Sequence, residues 1–396
     1  MEPIPNRRVL PVGVALRPIL FTGGIIMQFK DYKDGIRLSR LGMGNMRLPI
    51  QEDKEGHPID YGKTKAIIDE AIRSGINYFD TAYVYHGGES EVVVGKALAE
   101  YPRESFYIAD KFNYGANPDF RAQFEEQLKR LDMDYIDFYL LHAVGDDSFE
   151  PYTTCGCVEY FKEKKSEGKI RYLGFSFHGS PNTLRKLLLV HEWDFVQIQL
   201  NYYDWVFGTA KEQYEILTEA GIPVIVMEPV RGGMLAKLNE KTAAKLKDAD
   251  PGRSIASWAL RWVMGLDNVQ VILSGMSAMD QMKDNVATFT EGKPLTAEER
   301  ALAEQVAADY RTDVSVPCTA CRYCTDDCPM GLEIPKLLSV YNKFKVDGPW
   351  ALMPLGELPE DKRPTACISC AACTGHCPQT IDVPKYMTEM AEAMKK

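Results

Sequence analysis

Four side chains in the first half of the chain have the types and spacing of a proton-donating site. Asp80 and Tyr85 stand five residues apart in Ile76-Asn-Tyr-Phe-Asp-Thr-Ala-Tyr-Val-Tyr85, a buried-strand pattern running into the polar loop His86-Gly-Gly-Glu-Ser-Glu91. Lys111 ends the apolar run Ile108-Ala-Asp-Lys-Phe112, and His142 ends Tyr139-Leu-Leu-His142. A phenol has an ordinary pKa of about 10 and gives up its proton reluctantly near neutrality. A buried ammonium beside it favours the phenolate and lowers that value. Here Lys111 would be the ammonium, Asp80 its counter-charge, and His142 a hydrogen-bonding imidazole. Taken singly, each group has an ordinary structural explanation. The pattern lies in their common position, at the C-terminal end of a strand or in the loop that follows.

A second set of chemistry-bearing residues lies at the other end. Eight of the ten cysteines follow residue 317. They fall in Cys318-Thr-Ala-Cys321-Arg-Tyr-Cys324-Thr-Asp-Asp-Cys328-Pro and Cys367-Ile-Ser-Cys370-Ala-Ala-Cys373-Thr-Gly-His-Cys377-Pro, so that each cysteine of the second run follows its counterpart by 49 positions. The repeat continues into Leu332-Glu-Ile-Pro-Lys336 and Ile381-Asp-Val-Pro-Lys385. A disulfide framework suits short secreted domains better than a long chain of this kind, so the spacing implies a reducing, cytoplasmic setting. Paired C-x2-C motifs also bind zinc, but two four-cysteine runs each closing in Cys-Pro are the pattern of 4Fe–4S clusters. Cys155 and Cys157 stand apart and read as ordinary thiols.

The elements that must position these groups alternate. Short apolar strand patterns occupy 78–82, 106–112, 136–141, 172–177, 195–200, 224–227 and 269–273, with a first strand inside 38–46. Between them, apolar residues at three- and four-residue steps predict helices over 64–74, 89–100, 120–131, 158–168, 183–191, 211–220, 254–264 and 279–289. Strands alternating with helices mean a parallel sheet, and eight such units are the size of a (β/α)8 barrel. A doubly wound open sheet competes less well, because no Gly-x-Gly-x-x-Gly opens the first strand–helix turn. Asp34-Gly35 between two short strand-like runs predicts a hairpin ahead of the barrel.

On these residues the chain resembles the aldo/keto reductase family over 35–290, and the tail resembles bacterial-type dicluster ferredoxin domains, with a longer helical gap between the runs. The first resemblance implies reduction of a small aldehyde or ketone by NADPH or NADH. Tyr85 would be the general acid, with Asp80, Lys111 and His142 in support. Ser176 and Gln197 would hold the nicotinamide amide, Arg231 would lie in the pyrophosphate loop, and Gly275, Gln281, Asp284 and Asn285 would grip the adenosine end. Phe177 and Met227 depart from the family pattern, and no Arg or Lys stands at the usual 2′-phosphate positions around 276–281. The second resemblance implies two 4Fe–4S clusters, one on Cys318, Cys321, Cys324 and Cys377, the other on Cys328, Cys367, Cys370 and Cys373. Hydride carriers and one-electron clusters are normally coupled through a flavin, and the sequence carries no flavin fingerprint.

The expected organisation is therefore an N-terminal extension over 1–26, a barrel over 27–292, a linker helix over 293–316, where Thr296-Ala-Glu-Glu299 is a capping box, and a small, mainly helical cluster domain over 317–396. Arg7-Arg8 ahead of an apolar stretch resembles a twin-arginine export signal, but Pro11, Arg17 and Pro18 interrupt it. Met27 offers an alternative start. A net charge of −10 argues against a nucleic-acid partner, and no stretch is long and apolar enough to span a membrane. Two functions fit: a carbonyl reductase carrying an electron-transfer domain, or a redox adaptor whose barrel binds or senses while the clusters serve a partner protein.

Overall fold

The computed structural model describes residues 27–318, 320–325, 328–377 and 379–395; the N-terminal extension expected over 1–26 lies outside them. The chain divides into two compact units. The first runs up to Val230 and resumes over Gly252–Ala303; the second comprises Arg231–Pro251 and Glu304–Lys396.

The first unit opens with a hairpin. Strands β1 (Phe29–Asp31) and β2 (Arg37–Ser39) pair antiparallel, with Phe29 opposite Ser39. The connection turns at Asp34 and Gly35, both at positive φ (58° and 72°), a conformation that glycine and aspartate adopt most readily in tight turns. Eight parallel strands follow: β3 (Leu41–Gly44), β4 (Tyr78–Asp80), β5 (Tyr107–Phe112), β6 (Ile136–Val144), β7 (Ile170–Phe177), β8 (Phe195–Gln199), β9 (Val224–Met227) and β10 (Val269–Ser274). Each pairs with the next, and β10 closes on β3 through Leu273 opposite Gly42. Helices lie between successive strands. The expected (β/α)8 barrel is the observed architecture.

The end of the barrel beneath the hairpin is filled with rings. Phe138 has the rings of Tyr78, Tyr172 and Phe195 at 5.0, 4.9 and 5.2 Å, and Tyr32 of the hairpin loop packs against it. Edge-on and tilted aromatic pairs of this kind add to the burial of large apolar area. Gly42 leaves room for this layer, since a Cβ there would sit 2.7 Å from Val271 Cγ1 and 2.8 Å from Leu273 Cδ2. With that end closed, the chemistry-bearing strand ends face the other way, the usual active end of such a barrel.

The second unit extends beyond the expected cluster domain. Arg231–Pro251 contains the helix Glu240–Ala249, which the sequence reading did not include, capped by the Asn239 side chain. Its Lys241 and Lys245 pair with Asp313 and Asp309 at 2.7 and 2.5 Å. The unit's core gathers Leu332, Leu337, Leu338, Tyr341, Leu355, Val383, Met387 and Met390 around Cys324 and Cys373. Apart from Leu355, in the short helix Met353–Gly356, these apolar residues lie on or just before the helices Ile334–Asp347 and Val383–Ala393.

The sequence repeat is also a backbone repeat. Ala320, Arg322 and Gly331 have φ of 57°, 70° and 56°, and their counterparts Ser369, Ala371 and Thr380 have 55°, 59° and 52°. The Gly331 N–H donates to the Cys328 carbonyl at 2.8 Å, and the Thr380 N–H to that of Cys377 at 2.9 Å.

Candidate functional sites

The barrel site is built around a buried ion pair. Asp80 ends β4 and Lys111 lies near the end of β5, one strand away. Both are buried, Lys111 completely. Lys111 Nζ donates to Asp80 Oδ1 at 2.7 Å and to the Thr81 carbonyl at 2.6 Å. The same ammonium lies 4.9 Å from the centroid of the Tyr85 ring. Tyr85 opens a short turn, Tyr85–Gly88, in which His86 and Gly87 take positive φ. Across the site, the His142 ring on β6 meets Tyr85 edge-on at 5.8 Å. The closed barrel thus brings Asp80, Tyr85, Lys111 and His142 into one cluster from three adjacent strands.

The electrostatics differ in one respect from the sequence expectation. Burial pushes the Tyr85 phenol up; Lys111 pulls it down but does not outweigh burial, and Asp80 adds to the rise. The ammonium therefore offsets a desolvation penalty rather than producing a net acidic phenol. Burial alone would lower the Lys111 ammonium, but Asp80 and Tyr85 outweigh it and hold the group charged. Burial raises the Asp80 carboxyl despite Lys111. His142 is pushed well below the ordinary histidine range by burial, then by Lys111 and His178, so its ring is neutral.

Several supporting groups went unread in the sequence. Tyr152, in the short helix Phe149–Thr154, bridges two strand ends: its hydroxyl lies 2.7 Å from the His142 carbonyl and 3.3 Å from that of Phe112. Asn113 sits two residues beyond Lys111, with its amide nitrogen 3.4 Å from His142 Nδ1. Behind Lys111 lie two fully buried carboxyls, Asp110 and Glu91. Arg130 pairs with Glu91 Oε2 at 2.7 Å. Burial, then repulsion from and hydrogen bonding to Glu91, holds the Asp110 carboxyl well above its usual range. Two carboxyls that hydrogen-bond each other need one proton between them. Proximity to Lys111 in sequence was the only available signal for Asp110 and Asn113; nothing local marks Tyr152.

The residues expected to hold a dinucleotide fall in two groups. Ser176 and Gln197 are buried neighbours across β7 and β8. Ser176 Oγ accepts from Ala143 N at 2.7 Å. Gln197 Nε2 faces Met227 Sδ at 3.6 Å, while its Oε1 is buried without a partner among the described residues. An orphaned buried carbonyl oxygen fits a carboxamide donor such as that of nicotinamide. Gly275, Gln281, Asp284 and Asn285 lie together on the loop after β10 and the helix Met279–Glu291. There Gln281 Oε1 accepts from Ser277 N at 2.8 Å, Asp284 accepts from Ser254 at 2.6 Å, and Asn285 donates to Ser274 at 2.9 Å. Arg231 follows β9 and is grouped with the second unit, where its guanidinium donates to the Val346 carbonyl at 2.6 Å and pairs with Asp347 at 2.7 Å.

The cysteines of the second unit line two cavities. One is bordered by Cys328, Cys367, Cys370 and Cys373. The other is bordered by Cys318, Cys321, Cys324 and Cys377. These are the two sets that the ferredoxin resemblance implies, with the last cysteine of each run crossing to the other group. Four thiols spread around each cavity suit a multi-iron cluster. The repeated positive-φ residues Ala320, Arg322, Ser369 and Ala371 flank the central cysteines, and such turns point backbone N–H groups at an anionic centre. Burial raises the Cys324 and Cys373 thiols, and bound iron would displace those protons.

Comparisons with known proteins match both parts of the chain. The model of the aldo/keto reductase family matches residues 40–308, and that of the 4Fe-4S dicluster domain matches 317–381. A probable aldo-keto reductase of Glycine max is 34% identical over 216 residues, 50% of this chain and 58% of that protein. The NADH-specific methylglyoxal reductase of Escherichia coli is 30% identical over 302 residues, 64% of this chain and 90% of that protein. Among solved structures, the aldo-keto reductase AKR11C1 of Bacillus halodurans in its holo form superposes with a TM-score of 0.59 at 30% identity, covering 71% of this chain and 96% of its own.

Proposed function

The chain belongs to the aldo/keto reductase family, and from that premise we propose that it reduces a small aldehyde or ketone with NADH or NADPH, Tyr85 acting as the general acid. The observation that carries this reading is the buried Asp80–Lys111 pair against the Tyr85 ring. When bound, the dinucleotide supplies the hydride. The chain's part is to deliver a proton to the carbonyl oxygen and to hold that oxygen in place. Charge grows on the oxygen as the reaction proceeds, and a fixed ammonium in a water-poor site stabilises it more than solvent would. Lys111 stays charged because Asp80 balances it. Its field, which only offsets burial in the resting protein, favours Tyr85 losing its proton once the carbonyl oxygen is there to receive it. His142, neutral, contributes a hydrogen bond without adding a competing charge. Gln197 and Ser176 would hold the carboxamide of the nicotinamide.

In the tail, Cys318, Cys321, Cys324 and Cys377 would hold one 4Fe–4S cluster and the remaining four cysteines the other. When bound, such clusters supply one-electron transfer. A partner redox protein is the natural recipient or donor, since a hydride carrier and a one-electron centre do not exchange directly. The second reading, a redox adaptor whose barrel binds without turnover, is favoured by Phe177 and Met227 beside the nicotinamide positions.

The test is nicotinamide oxidation by the anaerobic, iron-loaded protein, with NADH and NADPH and a panel of small aldehydes and ketones. Turnover in the wild type and a fall of roughly 100-fold or more in Tyr85→Phe are expected. An inert wild type with intact clusters supports the adaptor, and a fully active Tyr85→Phe removes the phenol from the mechanism.

A further inference from the structure

His142 has a partner that fixes where its proton sits. Asn113 is held on both sides by the buried Gln123: its N–H donates to Gln123 Oε1 at 2.7 Å, and its carbonyl accepts from Gln123 Nε2 at 3.1 Å. Its side-chain oxygen is committed as well, accepting from Ala116 N at 2.9 Å. That contact decides which end of the carboxamide is oxygen. The other end, Nδ2, lies 3.4 Å from His142 Nδ1. A carboxamide nitrogen can only donate. Nδ1 must then offer its lone pair, and in a neutral imidazole the proton is left on Nε2. The opposite tautomer would set two donors against each other.

We propose that Asn113 is a positioning residue that holds His142 as the Nε2–H tautomer, so that the ring offers a donor rather than a lone pair at Nε2 to the oxygen being protonated. The groups facing this ring are Lys111 on β5, Tyr85 after β4 and His178 after β7. Among the described residues Nδ1 has its hydrogen-bond contact with Asn113 and none with these three, and the ammonium opposes a second proton on the ring. The Tyr152 hydroxyl, bonded to the His142 carbonyl, fixes the backbone but touches neither ring nitrogen. The catalytic value of this arrangement rests on the reductase reading above; the tautomer itself does not.

Asn113→Asp changes the pattern while keeping the shape. One carboxylate oxygen still accepts from Ala116 N. The other now faces Nδ1 as an acceptor and draws a proton there. Ring nitrogen spectra of the full-length, oxidised holoprotein labelled with 15N-histidine read this directly, the His142 signals being those that vanish in His142→Gln. The wild type should show a protonated Nε2 and a bare Nδ1. Asn113→Asp should show Nδ1 protonated, and its kcat should gain a new pH limb with about a tenfold fall on the alkaline side. If the aspartate variant folds poorly, Asn113→Leu serves: with no donor at Nδ1, the exclusive Nε2–H signature should be lost. A wild-type ring protonated on Nδ1, or an unchanged Nε2–H signature in the folded variants, overturns the proposal. Expected ring signatures in a protein that reduces no carbonyl would defeat the reductase reading and leave the tautomer assignment standing.

Discussion

Replacing Lys111 with methionine isolates the energetics of the barrel site. The change removes the charge from the centre of the site and leaves the Asp80 carboxyl buried, with Oδ2 already lacking a partner among the described residues. Breaking a buried pair by removing one member costs about 3–5 kcal/mol. A second route gives the same size. Without the ammonium, Asp80 must carry a proton at pH 7; holding a group with an ordinary pKa of about 3.9 protonated there costs about 3 pH units at about 1.4 kcal/mol each, or about 4 kcal/mol. The sign of the pH dependence follows. In the variant the folded state binds a proton that the unfolded state releases above about pH 4, so stability falls as pH rises. The deficit should be about 1.5 kcal/mol at pH 5 and grow to about 4 kcal/mol at pH 7. Denaturant melts followed by tryptophan fluorescence suit the measurement, since Trp193, Trp205, Trp258 and Trp262 lie in the first unit and only Trp350 in the second. Asp80→Asn on top of Lys111→Met should recover at least half of the loss, because the uncompensated charge is gone. A loss below about 1 kcal/mol, a loss independent of pH, or no recovery in the double variant would refute the reasoning.

Two further expectations concern groups away from the phenol. Asp110 is held protonated by burial and by Glu91; its raised folded-state pKa contributes stability that is present below the unfolded carboxyl pKa and is lost as pH rises toward the folded value. Asp110→Asn keeps the hydrogen bond without needing the proton, so it should gain stability relative to wild type between pH 5 and pH 8, read as a diverging denaturation midpoint; an equal loss at both pH values would count against the shared proton. In the tail, Cys377→Ala and Cys318→Ala should diminish the same cluster signal by electron paramagnetic resonance after reduction, while Cys328→Ala and Cys367→Ala diminish the other. If Cys377 instead groups with Cys367, the crossed ligand sets are wrong.

Local pattern carried much of the fold. The eight strands were legible because each is a short apolar run, and the helices between them because their apolar residues recur at helical steps. The Asp34-Gly35 turn and the 49-residue cysteine repeat were legible for the same reason: backbone conformation and ligand spacing are written in neighbouring residues. Asp80, Lys111 and His142 could be suspected from their place at strand ends.

What the tertiary structure decided depends on residues far apart in sequence. Barrel closure puts Lys111 between Asp80 and Tyr85 and sets the balance of burial against charge at the phenol, which came out opposite to the simple expectation of a lowered pKa. It brings Tyr152 and Asn113 to His142, contacts no periodicity announces. Within the second unit, Arg231 meets Asp347, 116 residues away. Hydrophobic periodicity reports which face of an element is buried. The partner of a buried polar group is chosen only when the chain closes, because desolvation makes each such group bond to whatever the fold brings within reach.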